Sequence, residues 1–281
     1  MDNTFKRTED GAIELTLTIP WNEIQKTYDV VVEETVANAE IAGFRKGKAP
    51  RDMVEKQIDK TKTYEETIKR LIPKAYTDAV TEHKLAPIMM PQIDLKSAEE
   101  GKDWVAIART CEKPDVELGD YKKAAAELKS SKTPKLIVPG KEEPKDEKKG
   151  PTVDEIFDMI LKNVTVTIPD ILVEHEVTHA LSELVDQTKR LGLTVEQYLA
   201  STNKTVESVR KEYADNARRN LSLEFAMEAI ADREGVTVTD AEIDTVVKSA
   251  KTPEERQNLE SQRYYLASLL RRQKTLDALV A

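Results

Sequence analysis

The chain has 281 residues, 34% of them charged, 39% hydrophobic and 5% aromatic, with 52 acidic against 43 basic side chains and a formal net charge of −9. That length suits about two domains of ~100–200 residues each, and an acidic chain makes a poor general coat for nucleic acid, so any phosphate contact falls to a local basic patch. The single cysteine, Cys111, excludes an intramolecular disulfide and a cysteine-based zinc cluster, which fits a reducing compartment.

No run of about 18 apolar residues offers a membrane span. The opening "MDNTFKRTEDGAIELTLTIP" lacks the uninterrupted apolar core of a signal peptide, so cytosol is the expected setting.

Ile13, Leu15, Leu17 and Ile19 alternate with polar residues, the period-two pattern of a half-buried strand. Pro20 closes it, and Ile24, Tyr28, Val31 and Thr35 predict a helix from Asn22 to about Ala42. The loop "GFRKGKAP", Gly43 to Pro50, follows, then a short helix with Met53, Val54, Gln57 and Ile58. A longer helix is predicted from the capping box Thr63-x-x-Glu66. It carries Ile68, Leu71, Ile72, Ala75, Tyr76, Ala79 and Val80 inward, and Pro73 within it predicts a kink. "PQIDLKSAEEGKDWVAIART" reads as two strands around an acidic turn. The order predicts an α+β domain over residues 1–113.

Beyond Gly119 the composition changes. "SSKTPKLIVPGKEEPKDEKKGP" is rich in Lys, Glu and Pro, and no aromatic residue stands between Tyr121 and Phe157. Residues 114–151 are therefore expected to be an arm or linker, open to protease, with "KLIV" a candidate short strand. From 152 to 281 everything reads as helix. N-terminal signatures stand at Thr152-x-x-Glu155, Thr194-x-x-Gln197, Thr239-x-x-Glu242 and Thr252-Pro-Glu-Glu255, with stops at Gly192 and Gly235. The predicted helices run over about 152–162, 170–191, 194–201, 205–234, 240–250 and 253–279. The fold class is thus α+β: a mixed N-terminal domain, a charged linker and an all-α C-terminal domain.

Two stretches carry candidate chemistry. His175-Glu176-Val177-Thr178-His179 matches H-E-x-x-H, which on a helix sets two histidines on one face to grip a zinc ion with the glutamate as general base. The apolar stripe Val173, Val177, Ala180, Leu184, Thr188 and Leu191 would be the packed face, leaving His175 and His179 on the solvated side. Ser182 and Val185 stand where a longer zinc motif would continue with Gly and His, and the only other histidine is His83. The motif reads as a coincidence of spacing, with no metal or cofactor implied.

The loop is more specific. Between residues 41 and 62 seven basic side chains face three acidic ones. Phe44 stands between Gly43 and the cations Arg45, Lys46, Lys48 and Arg51. An apolar wedge ringed by cations suits docking on a ribonucleoprotein surface. A phenylalanine folded back into the core is the other reading, and the spacing alone leaves both open.

"GFRKGKAP" resembles the ribosome-docking signature of the trigger factor family of bacterial chaperones. The resemblance extends over the N-terminal domain, including "KPDVELGDYKKA" at 113–124, and resumes at "VTIPDILVEHEVTHAL", where Glu176 is the matching position and the histidines are incidental. It implies docking through Gly43, Phe44, Arg45, Lys46, Gly47, Lys48 and Pro50 on ribosomal protein and rRNA near the exit tunnel. It also implies a helical domain that shields nascent or unfolded chains.

The family's FK506-binding-type prolyl-isomerase domain needs about a hundred residues and an aromatic-lined pocket. Residues 120–150 offer neither, so that activity is not expected. No G-x-x-x-x-G-K-[ST] is present, so an ATP-driven cycle is not expected either. Three alternatives stand beside this reading: a zinc peptidase through His175 and His179, a basic-loop RNA-binding module, and a periplasmic chaperone.

Overall fold

The structure is a computed structural model that describes residues 4–39, 44–45, 50, 53–54, 59–132, 151–250 and 252–280. The chain divides into two compact units, one of residues 1–113 with 169–172, the other of 114–168 with 173–281.

Among its described residues the first unit is a four-stranded antiparallel sheet backed by two long helices. Strands β1 (Thr4–Arg7), β2 (Ala12–Ile19), β3 (Gln92–Ser97) and β4 (Trp104–Cys111) lie in the order β1-β2-β4-β3. The alternation in β2 does what its period requires: Ile13, Leu15, Leu17 and Ile19 are all buried on one face. Each faces a chosen partner on β4. Leu15 lies opposite Ala108 and Leu17 opposite Ala106, while Ile19 lies opposite Trp104. Small residues across from large ones leave room for the helices α1 (Trp21–Asn38) and α2 (Lys60–Glu82) to pack down. An aromatic chain joins the layers: Tyr28 stacks 4.8 Å from Tyr64, and Tyr64 meets the Trp104 ring edge-on at 5.5 Å.

Several local expectations are corrected here. α1 ends at Asn38, not near Ala42. α2 starts earlier than the Thr63 box, because Asp59 caps it by accepting the Thr61 N–H at 3.0 Å. Thr63 is instead buried one turn in, its hydroxyl donating to the Asp59 carbonyl. Pro73 lies inside α2, as expected, and the helix continues past it to Glu82. β1 carries no alternation and was not legible as a strand.

Among the described residues the second unit is helical apart from a two-residue ladder, β5 (Val116–Glu117) with β6 (Thr165–Val166). The helices are α3 (Tyr121–Lys132), α4 (Val153–Asn163), α5 (Asp170–Arg190), α6 (Val195–Ser201), α7 (Val206–Arg233), α8 (Asp240–Lys248), α9 (Pro253–Ser261) and α10 (Arg263–Val280). α3 corrects the reading of 114–151 as linker over its first part. Its Tyr121 and Ala125 are buried in one cluster with Ile156, Ile160, Met227 and Ile230. The Tyr121 hydroxyl donates to the Glu234 carboxylate, and burial followed by that carboxylate pushes the phenol up to about 12. Gly119 makes the entry to α3 possible. Its φ is +49°, and a Cβ there would come within 2.2 Å of the Asn163 carbonyl oxygen.

The rest of the former linker, including "KLIV", lies outside the described residues. The capping boxes at Thr152 and Thr194 are present, at Thr239 the Glu242 carboxylate accepts the Thr239 N–H at 2.8 Å, and Thr252 accepts from the Glu255 N–H. A further box at Thr205 closes through Ser208. The predicted 253–279 helix is two helices, interrupted at Gln262. Apolar burial in this unit falls into separate clusters around Ile160, Leu184 and Ile243.

Candidate functional site

Of the loop residues singled out by sequence, Phe44, Arg45 and Pro50 are described; Gly43, Lys46, Gly47 and Lys48 lie outside the described residues. Phe44 keeps 42% of its surface exposed, and Arg45 beside it is exposed too. A phenylalanine so open is not a core residue. The Pro50 carbonyl accepts the N–H groups of Met53 and Val54, which starts a helical turn whose Val54 is buried and whose Met53 is exposed.

The helices on either side of the loop are tied together near its base. The Arg70 guanidinium donates to both oxygens of Glu34, at 3.0 and 2.7 Å, and to Glu66 at 3.5 Å. Such a fork fixes orientation as well as distance. It holds the Glu34 carboxyl below its ordinary range, and the hydrogen bond to Glu34 holds Arg70 above its own. The first turn of α2 contains Lys60 and Lys62 and no acid. Cations there oppose the helix dipole, and the Asp59 cap offsets them only in part. The exposed positive charge there therefore costs stability.

The H-E-x-x-H residues do not converge. His175 and His179 are exposed, and each lies near a different carboxylate, Nδ1 of His175 at 3.6 Å from Glu176 and Nδ1 of His179 at 3.7 Å from Glu183. Among the described residues no three His, Cys, Asp or Glu side chains are grouped to hold an ion. Cys111 is buried, and desolvation pushes its thiol up to about 11, which makes it unreactive.

The helical unit presents apolar surface beside one of its cores. Leu259, Leu266 and Leu270 belong to the core around Ile243 and Val247. The neighbouring Tyr264, Tyr265 and Leu269 are exposed, Tyr264 at 91%. Tyr264 lines a groove of about 550 Å³ with Met227, Ala231 and Val238. The wall is braced by Arg271, which donates from Nε to the Val236 carbonyl at 3.0 Å and pairs with Asp232, and by the Arg272–Glu224 pair. Periodicity could not separate these tyrosines from the leucines, because the interruption at Gln262 resets the face of α10.

The profile described as bacterial trigger factor protein matches residues 1–136, and that of its C-terminus matches residues 140–281. The trigger factor of Carboxydothermus hydrogenoformans is 25% identical in an alignment of 421 positions covering 100% of this chain and 99% of the relative. That relative therefore carries a long middle stretch without counterpart here. The trigger factors of Staphylococcus epidermidis and Streptococcus pneumoniae are 33% and 37% identical over 122 residues, 43% of this chain and 28% and 29% of the relatives. A solved structure concerned with promiscuous substrate recognition by the trigger factor chaperone superposes with a TM-score of 0.67 at 15% identity, covering 100% of this chain and 99% of that one.

Proposed function

The chain belongs to the bacterial trigger factor family, and from that premise we propose an ATP-independent, ribosome-associated chaperone reduced to a docking unit and a shielding unit. The loop from Gly43 to Pro50 docks. Phe44 enters an apolar depression, and Arg45, Lys46 and Lys48 meet phosphate or carboxylate of ribosomal protein and rRNA beside the exit tunnel. The observation that carries this reading is the exposure of Phe44 next to an exposed arginine on a loop whose flanking helices are clamped by Arg70 and Glu34. A rigid base presents the wedge at little ordering cost. The helical unit shields nascent or unfolded chains through scattered apolar positions such as Tyr264, Tyr265 and Leu269 set among charges. The setting is the cytosol, where ribosomes and a reduced Cys111 belong together.

The chain carries no prolyl-isomerase activity in this reading, supported by the missing middle stretch. A proline-peptide isomerisation assay on the purified chain is expected to match the buffer control; catalysis that survives further purification removes this part.

The test of docking is co-sedimentation with ribosomes. Phe44→Ala, Arg45→Ala and Lys46→Ala together are expected to abolish binding while circular dichroism stays unchanged. Wild-type binding should weaken as salt rises. A triple variant that sediments at wild-type level overturns the docking assignment.

A further inference from the structure

The sheet of the first unit has one edge that the helices do not cover. By register Ile93 and Leu95 of β3 lie opposite Ala108 and Ala106, both fully buried. They therefore belong to the core face, yet they remain 38% and 39% exposed. β3 is also an edge strand, with no described strand on its outer side, so part of its backbone hydrogen-bonding capacity is open to another chain. Its charges, Asp94 and Lys96, pair with each other.

Beside this edge runs a groove of about 610 Å³, lined by Ile72, Pro73 and Tyr76 of α2, by Ile88 and Met90, and by Ile93. The segment "PIMMP" that forms its wall is held outward. The Ile88 N–H donates to the Cys111 carbonyl at 3.0 Å, and the Thr110 hydroxyl donates to the Met89 carbonyl at 3.2 Å. Pro87 and Pro91 stiffen both ends. Met90 is consequently 86% exposed on a fixed backbone. Tyr76, which lines the groove, has its hydroxyl buried without a hydrogen-bond partner among the described residues.

We propose that this groove takes one extended apolar segment of a non-native polypeptide, which adds a short strand to the free edge of β3 and seats alternate side chains against Met90, Ile93 and Tyr76. Strand addition supplies affinity through the backbone and tolerates any sequence with alternating apolar residues, and methionine adapts to their shapes. The proposal rests on the chaperone reading and gives the docking unit a client surface of its own. A second copy of the chain fits less well. The register shift between Leu95 and Ser97 leaves a short regular edge, whereas a stable dimer needs about 800 Å² from each partner.

The experiment uses the full chain and a fluorescein-labelled peptide of alternating valine and serine, read by fluorescence anisotropy. Met90→Glu alters an open side chain and should leave the melting temperature unchanged. Alone or with Ile93→Glu it is expected to weaken the peptide by about tenfold or more, as loss of the apolar anchors requires. A Val30→Glu control, at an exposed position of α1, should not weaken it. N-methylation of alternate peptide amides should weaken binding comparably. Unchanged affinity in a folded Met90→Glu variant, or indifference to N-methylation, overturns the proposal. So does a concentration-dependent dimer in sedimentation equilibrium that Met90→Glu abolishes, which would assign the groove to a second copy. Suppression of aggregation of a chemically unfolded protein is measured in parallel. If the wild-type chain fails there, the chaperone reading falls and takes the proposal with it; if it succeeds while Met90→Glu leaves the peptide affinity unchanged, the groove alone is refuted.

Discussion

In the first unit one described cluster gathers Ile13, Leu15, Leu17, Ile19 and Trp104 with Leu71, Ala75 and Ala79, and Val31, Val32 and Val54 are buried besides it, whereas among the described residues of the second unit burial is distributed over clusters around Ile160, Leu184 and Ile243. The first core is assembled from distant sequence, since β2 at residues 12–19 pairs with β4 at 104–111. The clusters around Leu184 and Ile243 use helices close together in the chain. A core of distant parts opens as a whole, while a set of local cores opens piece by piece. The difference suits a firm base for docking joined to a surface that adapts to many shapes.

The comparison breaks most readily at Trp104. Trp104→Ala is expected to cost about 3–5 kcal/mol and to expose the amides of β2, β4 and α2 together in hydrogen exchange. Ribosome co-sedimentation should be lost while α4 and α7 keep their protection. Protection lost only near residue 104 would mean that the first unit, too, is modular.

Ile243→Ala in the second unit should cost about 2–4 kcal/mol. Its loss of protection should stay within α8, α9 and α10. Loss extending to α4 would erase the contrast between the units.

Helix caps sharpen the same point at smaller scale. At the start of α4 the Thr152 hydroxyl accepts the Glu155 N–H at 3.3 Å, and the Glu155 carboxylate accepts the Thr152 N–H at 3.0 Å. Thr152→Ala should destabilise by about 1 kcal/mol, seen as a lower urea midpoint with fraying confined to α4.

Glu242 supplies a pH test. Its carboxyl is held down to about 2, first by Lys274 at 2.8 Å and then by the Thr239 N–H. A depressed carboxylate contributes stability that is complete above its unfolded value of about 4.3. That contribution is lost as pH falls toward about 2. Protection of α8 and α10 should decline across this window, and Glu242→Gln should flatten the decline; an unaltered profile in the variant would remove Glu242 as its source. The smallest effect is expected at His175→Ala and His179→Ala, each within about 0.5 kcal/mol because both side chains are exposed. A large drop in melting temperature on metal chelation, absent from these variants, would reopen the zinc reading.

What the sequence made legible follows from how local each cause is. β2 was readable because its alternation is complete, and the helix starts of the second unit were readable because a threonine and an acid or glutamine three residues on form the cap by themselves. Thr63 does not, lying one turn inside the Asp59 cap. The Thr205 box escaped because Ser208 closes it in place of an acid. α3 escaped because the lysines and prolines after it dominate the window, although Tyr121, Ala124, Ala125 and Leu128 keep helical spacing. β5 and β6 are two residues each, too short for a pattern. At the site, the basic loop could be found by charge and glycine spacing. Whether Phe44 turned inward depended on tertiary structure. So did Met90, whose exposure is set by hydrogen bonds that its neighbours make to the end of β4.

The packing of α3 against α4 changes what the charged tract between them is. Lys132 and Pro151 both belong to the second unit, so the tract between them has both of its flanks in one body. The two matched profiles meet inside that tract, between residues 136 and 140. A tract whose two flanks are both anchored can be lengthened at a closure cost that grows only slowly with length, about 0.6 kcal/mol per doubling. It can equally be shortened without disturbing either anchor. Related chains can therefore differ by an entire module at this point while keeping the same helical packing. A cut there should likewise leave two pieces held together through Tyr121, Ile156 and Ile160, which elute as one species until denaturant parts them.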